Sequence, residues 1–192
     1  MKDVTELVII IDKSGSMYSL TNDVVGGFNS LIEEQKKEGE TLVTTIFFNH
    51  DVKFVHEQLD IKEVKPLDKR TYRASGCTAL LDAIGDGIAY IKSKHASLRE
   101  DELPKHTIFS IMTDGLENAS REYSYSKIKS MIELQKKCGW SFIFQAANID
   151  TEYEAERLGI DQDMAMSFEA SCDGVARHFK CCSATISKAR KK

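Results

Sequence analysis

Three short segments of the chain carry side chains that could combine into one chemical site: Asp12-Lys13-Ser14-Gly15-Ser16, Gly76-Cys77-Thr78 and Thr113-Asp114-Gly115. Asp12, Ser14, Ser16, Thr78 and Asp114 offer carboxylate and hydroxyl oxygens. These are hard donors that suit Mg2+, Mn2+ or Ca2+ and not zinc or copper. Two carboxylates only just neutralise a divalent ion, and hydroxyls donate little charge, so the ion is expected to stay electrophilic. Mg2+ takes six ligands, and water fills the places the protein leaves open. An acidic side chain of a partner could displace one such water. Gly15 and Gly115 permit the tight backbone turns that aim the donors inward. Helix capping or turn formation accounts for Asp12 or Asp114 taken singly. It does not account for both together with Ser14, Ser16 and Thr78.

For these segments to meet, regular elements must bring them together. Leu7–Ile11 is a continuous apolar, β-branched run, expected of a strand buried on both faces, and Asp12 follows it directly. Val24, Phe28, Leu31 and Ile32 share one face of a helix that Gly39 can end as a C-cap. Leu42–Phe48 and Val52–Gln58 read as strands joined by Asn49-His50-Asp51. That link is too short for a parallel crossover, so the pair is expected to be an antiparallel hairpin. Leu80, Leu81, Ile84, Ile88 and Ile91 fall at helical spacing, which puts Thr78 at the start of a second long helix. Thr107–Met112 is the next buried strand, and Thr113-Asp114 follows it. Then come a helix with Ile128, Met131 and Ile132 closed by Gly139, strand Ser141–Ala146, a short helix from about Thr151 to Leu158 stopped by Gly159, strand Met164–Phe168, and a final helix from Ser171.

This alternation predicts an α/β fold: a Rossmann-like, mostly parallel sheet with one antiparallel edge strand and helices on both faces. Ligands of such sheets bind outside the carboxyl ends of the strands, at the switch point of strand order. All three chemical segments sit at such ends. Only two prolines occur, and no repeat or linker, so residues 1–192 read as a single domain.

The pattern resembles the metal-ion-dependent adhesion site of von Willebrand factor A domains. That site has an Asp-x-Ser-x-Ser loop, a Thr on a second loop, and an Asp on a third, usually followed by Gly. Asp12, Ser14 and Ser16 match the first, Thr78 the second and Asp114 the third, and the family's element order fits nearly the whole chain. The resemblance implies that Ser14, Ser16 and Thr78 contact the metal directly, with Asp12 and Asp114 acting directly or through water. It also implies a protein-binding module, not an enzyme, whose cation completes the contact with an Asp or Glu of a partner protein. The absence of an export signal and of a disulfide framework is more like the intracellular bacterial branch. Some members of that branch work beside AAA+ ATPases or in stress and tellurite-resistance operons, so an adaptor subunit is an alternative.

The rim of the site would set partner choice. Its candidates are Met17, Tyr18, Tyr72, Arg73, Leu116, Glu117, Asn118 and Arg121, since aromatics and Arg are common interface anchors. Cys77, where a small residue such as Gly is common in the family, reads as a buried small hydrophobe. Asp150, Glu152, Glu154 and Glu156 read as a solvated helix face. Lys188, Arg190, Lys191 and Lys192 read as a frayed basic end. Cys172, His178, Cys181 and Cys182 have the atoms for zinc. Val175, Phe179, Cys182 and Ile186 also form an apolar stripe, however, and that favours a buried Cys182.

Composition excludes several classes. The net charge of -4, from 26 basic and 30 acidic residues, argues against nucleic acid as a partner. Leu7–Ile11 is too short for a signal core or a membrane span. Five cysteines without paired spacing point to a reducing cytoplasm. A Mg2+-dependent phosphohydrolase of the haloacid-dehalogenase kind would need a general acid two residues after Asp12, where Ser14 stands. No Gly-x-Ser-x-Gly elbow, Walker loop or Gly-x-Gly-x-x-Gly loop occurs.

Overall fold

Strand β1 (Lys2–Asp12) sorts its side chains by parity, because successive residues of a strand point to opposite faces. Leu7, Ile9 and Ile11 enter one core with Val24, Phe28, Leu31 and Ile32 of helix α1 (Thr21–Gln35) and Val175, Phe179, Cys182 and Ile186 of helix α5 (Cys172–Ala189). Val8 and Ile10 enter a second core on the other face. There they meet helices α2 (Leu80–Ala96), α3 (Tyr125–Lys137) and α4 (Thr151–Leu158). A strand covered by helices on both sides needs apolar residues at every position, and this is why the run from Leu7 to Ile11 does not alternate. The computed structural model describes residues 1–191, the side chain of Cys172 excepted.

Strands β2 (Thr41–Phe48), β3 (Val52–Asp60), β4 (Pro104–Thr113), β5 (Ser141–Ala146) and β6 (Ala165–Ser167) complete a six-stranded sheet of order β3-β2-β1-β4-β5-β6. Every neighbouring pair is parallel except β2 and β3. The expected architecture is therefore present, antiparallel edge included. The chain leaves β1 for β2 on one side and returns through α2 to β4 on the other, so the switch point lies at β1.

Five strands differ in length from the expectation: β2 starts one residue earlier, β3 runs two residues further, β4 starts at Pro104 and ends at Thr113, and β1 and β6 depart most. β1 begins at Lys2, since pairing with β2 and β4 extends beyond the stretch buried on both faces. β6 is only Ala165–Ser167, at the sheet edge. Two surface readings are corrected as well. Glu154 is not solvated: it is buried, accepts a hydrogen bond from the Tyr125 hydroxyl and pairs with Arg157 at 3.0 Å. Arg157 in turn stacks on the Tyr125 ring at 3.6 Å. Arg190 is not frayed: its Nη2 donates to Thr41 Oγ1 at 3.0 Å, fixing the end of α5 to the start of β2. Lys192 lies outside the described residues. Among the described residues no helix is long and apolar enough to cross a membrane.

Candidate metal centre

Asp12 is the last residue of β1, Asp114 follows the end of β4, and Thr78 precedes α2 by two residues. Parallel pairing of β1 with β4 sets Ile11 beside Met112, so both acids emerge together at the carboxyl end of the sheet. Ser14 leads into a 3-10 turn, Gly15–Leu20, which tightens the chain after β1 and brings Ser16 back toward β4.

A chain of short hydrogen bonds links four of the five expected donors. Asp12 Oδ1 accepts from the Ser14 backbone N–H at 2.6 Å, and its Oδ2 accepts from Thr113 Oγ1 at 2.7 Å. Ser14 Oγ and Ser16 Oγ are 3.1 Å apart, and Ser16 Oγ donates to Asp114 Oδ1 at 2.5 Å. Thr78 closes the group from the second loop: a Cβ placed on Gly115 would stand 4.0 Å from Thr78 Oγ1.

The backbone under these side chains is tied loop to loop. Gly15 N–H donates to Gly76 C=O at 2.9 Å and Ser75 N–H to Lys13 C=O at 2.7 Å. Thr78 N–H donates to Asn118 Oδ1, while Thr78 C=O accepts from the N–H of Asn118 and of Ala119. Gly76 adopts φ +80, the left-handed region open to glycine, and a Cβ there would lie 2.3 Å from His50 Nδ1.

Burial sets the electrostatics. Asp12, Ser14, Thr78 and Asp114 are buried, and Ser16 is exposed. Desolvation pushes the Asp12 carboxyl up to about 6; hydrogen bonds from Thr113 and Ser14 pull it down, and the charge of Asp114 raises it. Desolvation also raises Asp114, with the Ser16 hydrogen bond acting against it. Among the described residues no ion pair neutralises either acid. Two neighbouring buried carboxylates without a protein cation, ringed by hydroxyl oxygens, are a donor set that fits a divalent cation. No group of three or more His, Cys, Asp or Glu able to hold a metal ion is found among the described residues, so oxygen donors from Ser and Thr must complete any such shell.

The expected rim is only partly a rim. Tyr18 and Leu116 are 76% and 54% exposed, and Arg73, Asn118 and Arg121 are exposed too. Met17 and Tyr72 are fully buried and cannot meet a partner. Tyr72 instead packs edge-on to Phe47 and donates its hydroxyl to the Asp12 carbonyl at 2.6 Å. Glu117 faces inward across the loop and caps α2: Oε2 accepts from Leu81 N–H, and Oε1 accepts from the N–H of Ala119 and Ser120. Asn118 serves mainly to clamp Thr78. Cys77 is exposed, not buried.

Asn49 does more than turn the hairpin. It is buried, its Nδ2 donates to Ser75 C=O at 2.8 Å and its C=O accepts from Ala79 N–H at 2.6 Å, so the hairpin holds the Thr78 loop. The C-terminal zinc reading fails for the described residues. Cys182 turns into the core toward Ser110 and Gln145, whereas Cys181 is exposed. The Cys172 side chain lies outside the described residues.

No family model matches the chain, and no curated protein matches it by sequence. Solved structures do match. The vWF domain of the type V pili tip protein Mfa5 from Porphyromonas gingivalis aligns with TM-score 0.69 at 9% identity, over 98% of this chain and 96% of that one. The chain has the fold of a von Willebrand factor A domain. The A-domain fold recurs, at TM-score 0.63 and 15% identity over 95% of this chain, in proximal thread matrix protein 1 of the mussel byssus, solved with a zinc-occupied MIDAS motif. The pilus adhesin SpaC of Lactobacillus rhamnosus GG aligns at TM-score 0.67 and 14% identity, over 98% of this chain. The chain spans 46% of the length of the mussel protein and 30% of the SpaC chain.

Proposed function

We propose that this A-domain fold is a protein-binding module, not an enzyme. One divalent cation is held by Asp12, Ser14, Ser16, Thr78 and Asp114, and an acidic side chain of a partner protein completes its shell. The observation that carries this reading is the pair of buried, unneutralised carboxylates joined through Ser14 and Ser16. Mg2+ or Mn2+ suits the hard donors, and Ca2+ is possible by the same chemistry. Zinc belongs with them, contrary to the expectation from ligand hardness. The mussel neighbour carries it at the motif of the same name, and zinc accepts carboxylate oxygens without a geometric demand of its own.

The surroundings favour binding over catalysis. Ser14 occupies the position where a phosphohydrolase needs a second carboxyl, and the site is a face of loop ends flanked by exposed Tyr18 and Leu116. Cavities of about 540 and 410 Å³ lie elsewhere, one beside Lys2 and Arg190, the other between β6 and α5. Exposed thiols at Cys77, Cys138 and Cys181 support a reducing surrounding such as the cytoplasm.

The test is capture of partners from source lysate on immobilised protein, with Mg2+ or with EDTA, for wild type and Asp12→Ala. Partners that require both the metal and Asp12 are expected. Partners indifferent to both overturn the reading.

A further inference from the structure

The cavity between β6 and α5 belongs to no part of the metal centre. It has a volume of about 410 Å³, and its lining includes Met166, Phe168, Glu169, Arg177, His178 and Cys181. That size lies within the range of small-molecule sites. His178 forms part of its wall and is only 5% exposed.

The network behind His178 fixes its tautomer. Gln145 of β5 donates its Nε2 to Ser110 Oγ at 2.8 Å and to Cys182 Sγ at 3.0 Å. Gln145 Oε1 is thereby left facing His178 Nε2, at 2.5 Å. An amide oxygen only accepts, so Nε2 carries the proton. Burial pushes the ring down to about 4, which keeps it neutral. Nδ1 is then a bare acceptor with no hydrogen-bond partner among the described residues. It is not among the buried unpartnered atoms, so it is open to an O–H or N–H of whatever fills the cavity.

The other walls narrow the class. Phe168 stacks on His178 with centroids 4.6 Å apart, and Met166 packs alongside, so the interior favours an apolar or aromatic body. Arg177 and Glu169 are both exposed in the lining, and neither forms an ion pair, with the other or elsewhere, among the described residues. A guanidinium in that position matches a carboxylate. We propose that the cavity binds a small aromatic carboxylic acid bearing an O–H or N–H group, with the acid on Arg177 and the donor on His178 Nδ1.

The experiment is calorimetric titration of the full chain with 4-hydroxybenzoate and with 4-methoxybenzoate, in EDTA so that no carboxylate can engage a metal. Wild type, Arg177→Gln and Asp114→Ala are compared. The expected result is binding of the hydroxy acid by wild type and Asp114→Ala alike. It should weaken by about tenfold or more for the methoxy acid and for Arg177→Gln, the size of one charge-assisted or tautomer-specific hydrogen bond. Arg177 is a surface residue, so its replacement leaves the fold intact. No heat at millimolar ligand overturns the proposal. So does equal affinity for the two acids, a preference for the methoxy acid, indifference to Arg177→Gln, or loss in Asp114→Ala. None of these outcomes bears on the metal-dependent reading.

Discussion

Ser16 Oγ donates to Asp114 Oδ1 at 2.5 Å and so joins two loops 98 residues apart at the mouth of the sheet. Burial leaves Asp114 desolvated and without a cation, a cost that the bond opposes and that a divalent ion removes. Thermal unfolding of wild type is therefore expected to shift upward with Mg2+ or Mn2+, by about 2.7 kcal/mol at a hundredfold excess over the dissociation constant. Asp114→Ala is expected to lose the shift yet to be no less stable in EDTA, since it removes a buried charge. A metal shift that survives in Asp114→Ala would remove Asp114 from the site.

The same mouth depends on Gly76, whose φ of +80 lets its carbonyl accept from Gly15. Gly76→Ala forces an L side chain into the left-handed region at a cost of about 1–2 kcal/mol. Its Cβ also meets His50, although that exposed ring can swing aside. Denaturant unfolding in EDTA is expected to show the loss, and the metal-induced shift is expected to shrink because Thr78 moves with the loop. Unchanged stability would mean that the loop relaxes out of the positive φ.

How far the sequence revealed this arrangement depends on the kind of information each residue carries. Asp12 and Asp114 were legible because an apolar run ends in front of each, and a parallel sheet places such ends together. Thr78 was legible because the helical period of Leu80 to Ile91 fixed where α2 begins. Tyr72, Glu117 and Asn49 were not legible in these roles. Each acts through a partner remote in sequence, Tyr72 on Asp12, Glu117 on Leu81 and Asn49 on Ser75. Nothing in their local pattern separates an inward-turned loop residue from a solvated one. Glu154 failed for a related reason: its acid-rich helix looks solvated, and the approach of Tyr125 from α3, together with the Arg157 pair, makes a buried carboxylate tolerable there.

Glu6 predicts a pH dependence of stability. It is fully buried in β1, Oε2 accepts from Gln58 Nε2 at 2.7 Å, and Oε1 has no partner. Desolvation pushes its carboxyl from 4.5 up to about 7, against the hydrogen bonds of Gln58 and Thr44. A raised carboxyl means that the folded state holds its proton after the unfolded chain has released one. The contribution is whole below pH 4.5 and is lost as pH rises through 7, by roughly 3 kcal/mol at most. Glu6→Gln keeps the acceptor oxygen for Gln58 and removes the titration. In EDTA, the variant is expected to match wild type near pH 4.5 within about 1 kcal/mol and to exceed it at pH 8. A variant less stable than wild type at pH 8 would show that the ionised carboxylate is stabilised in the fold.

The cysteines give a test of how α5 sits on the sheet. Cys181 and Cys182 are adjacent on one helix, yet Cys181 is exposed while Cys182 points at Ser110 and Gln145 within the core. Burial pushes the Cys182 thiol up to about 11, so almost no thiolate is present at neutral pH even before access is considered. Iodoacetamide labelling of the native protein, read by mass spectrometry, is expected to modify Cys77, Cys138 and Cys181. Cys182 is expected to react only at the rate of unfolding, and to catch up in denaturant. Equal native labelling of Cys181 and Cys182 would mean that α5 is rotated or lifted from the stripe formed by Val175, Phe179 and Ile186. In that case the wall behind His178 would not exist as described.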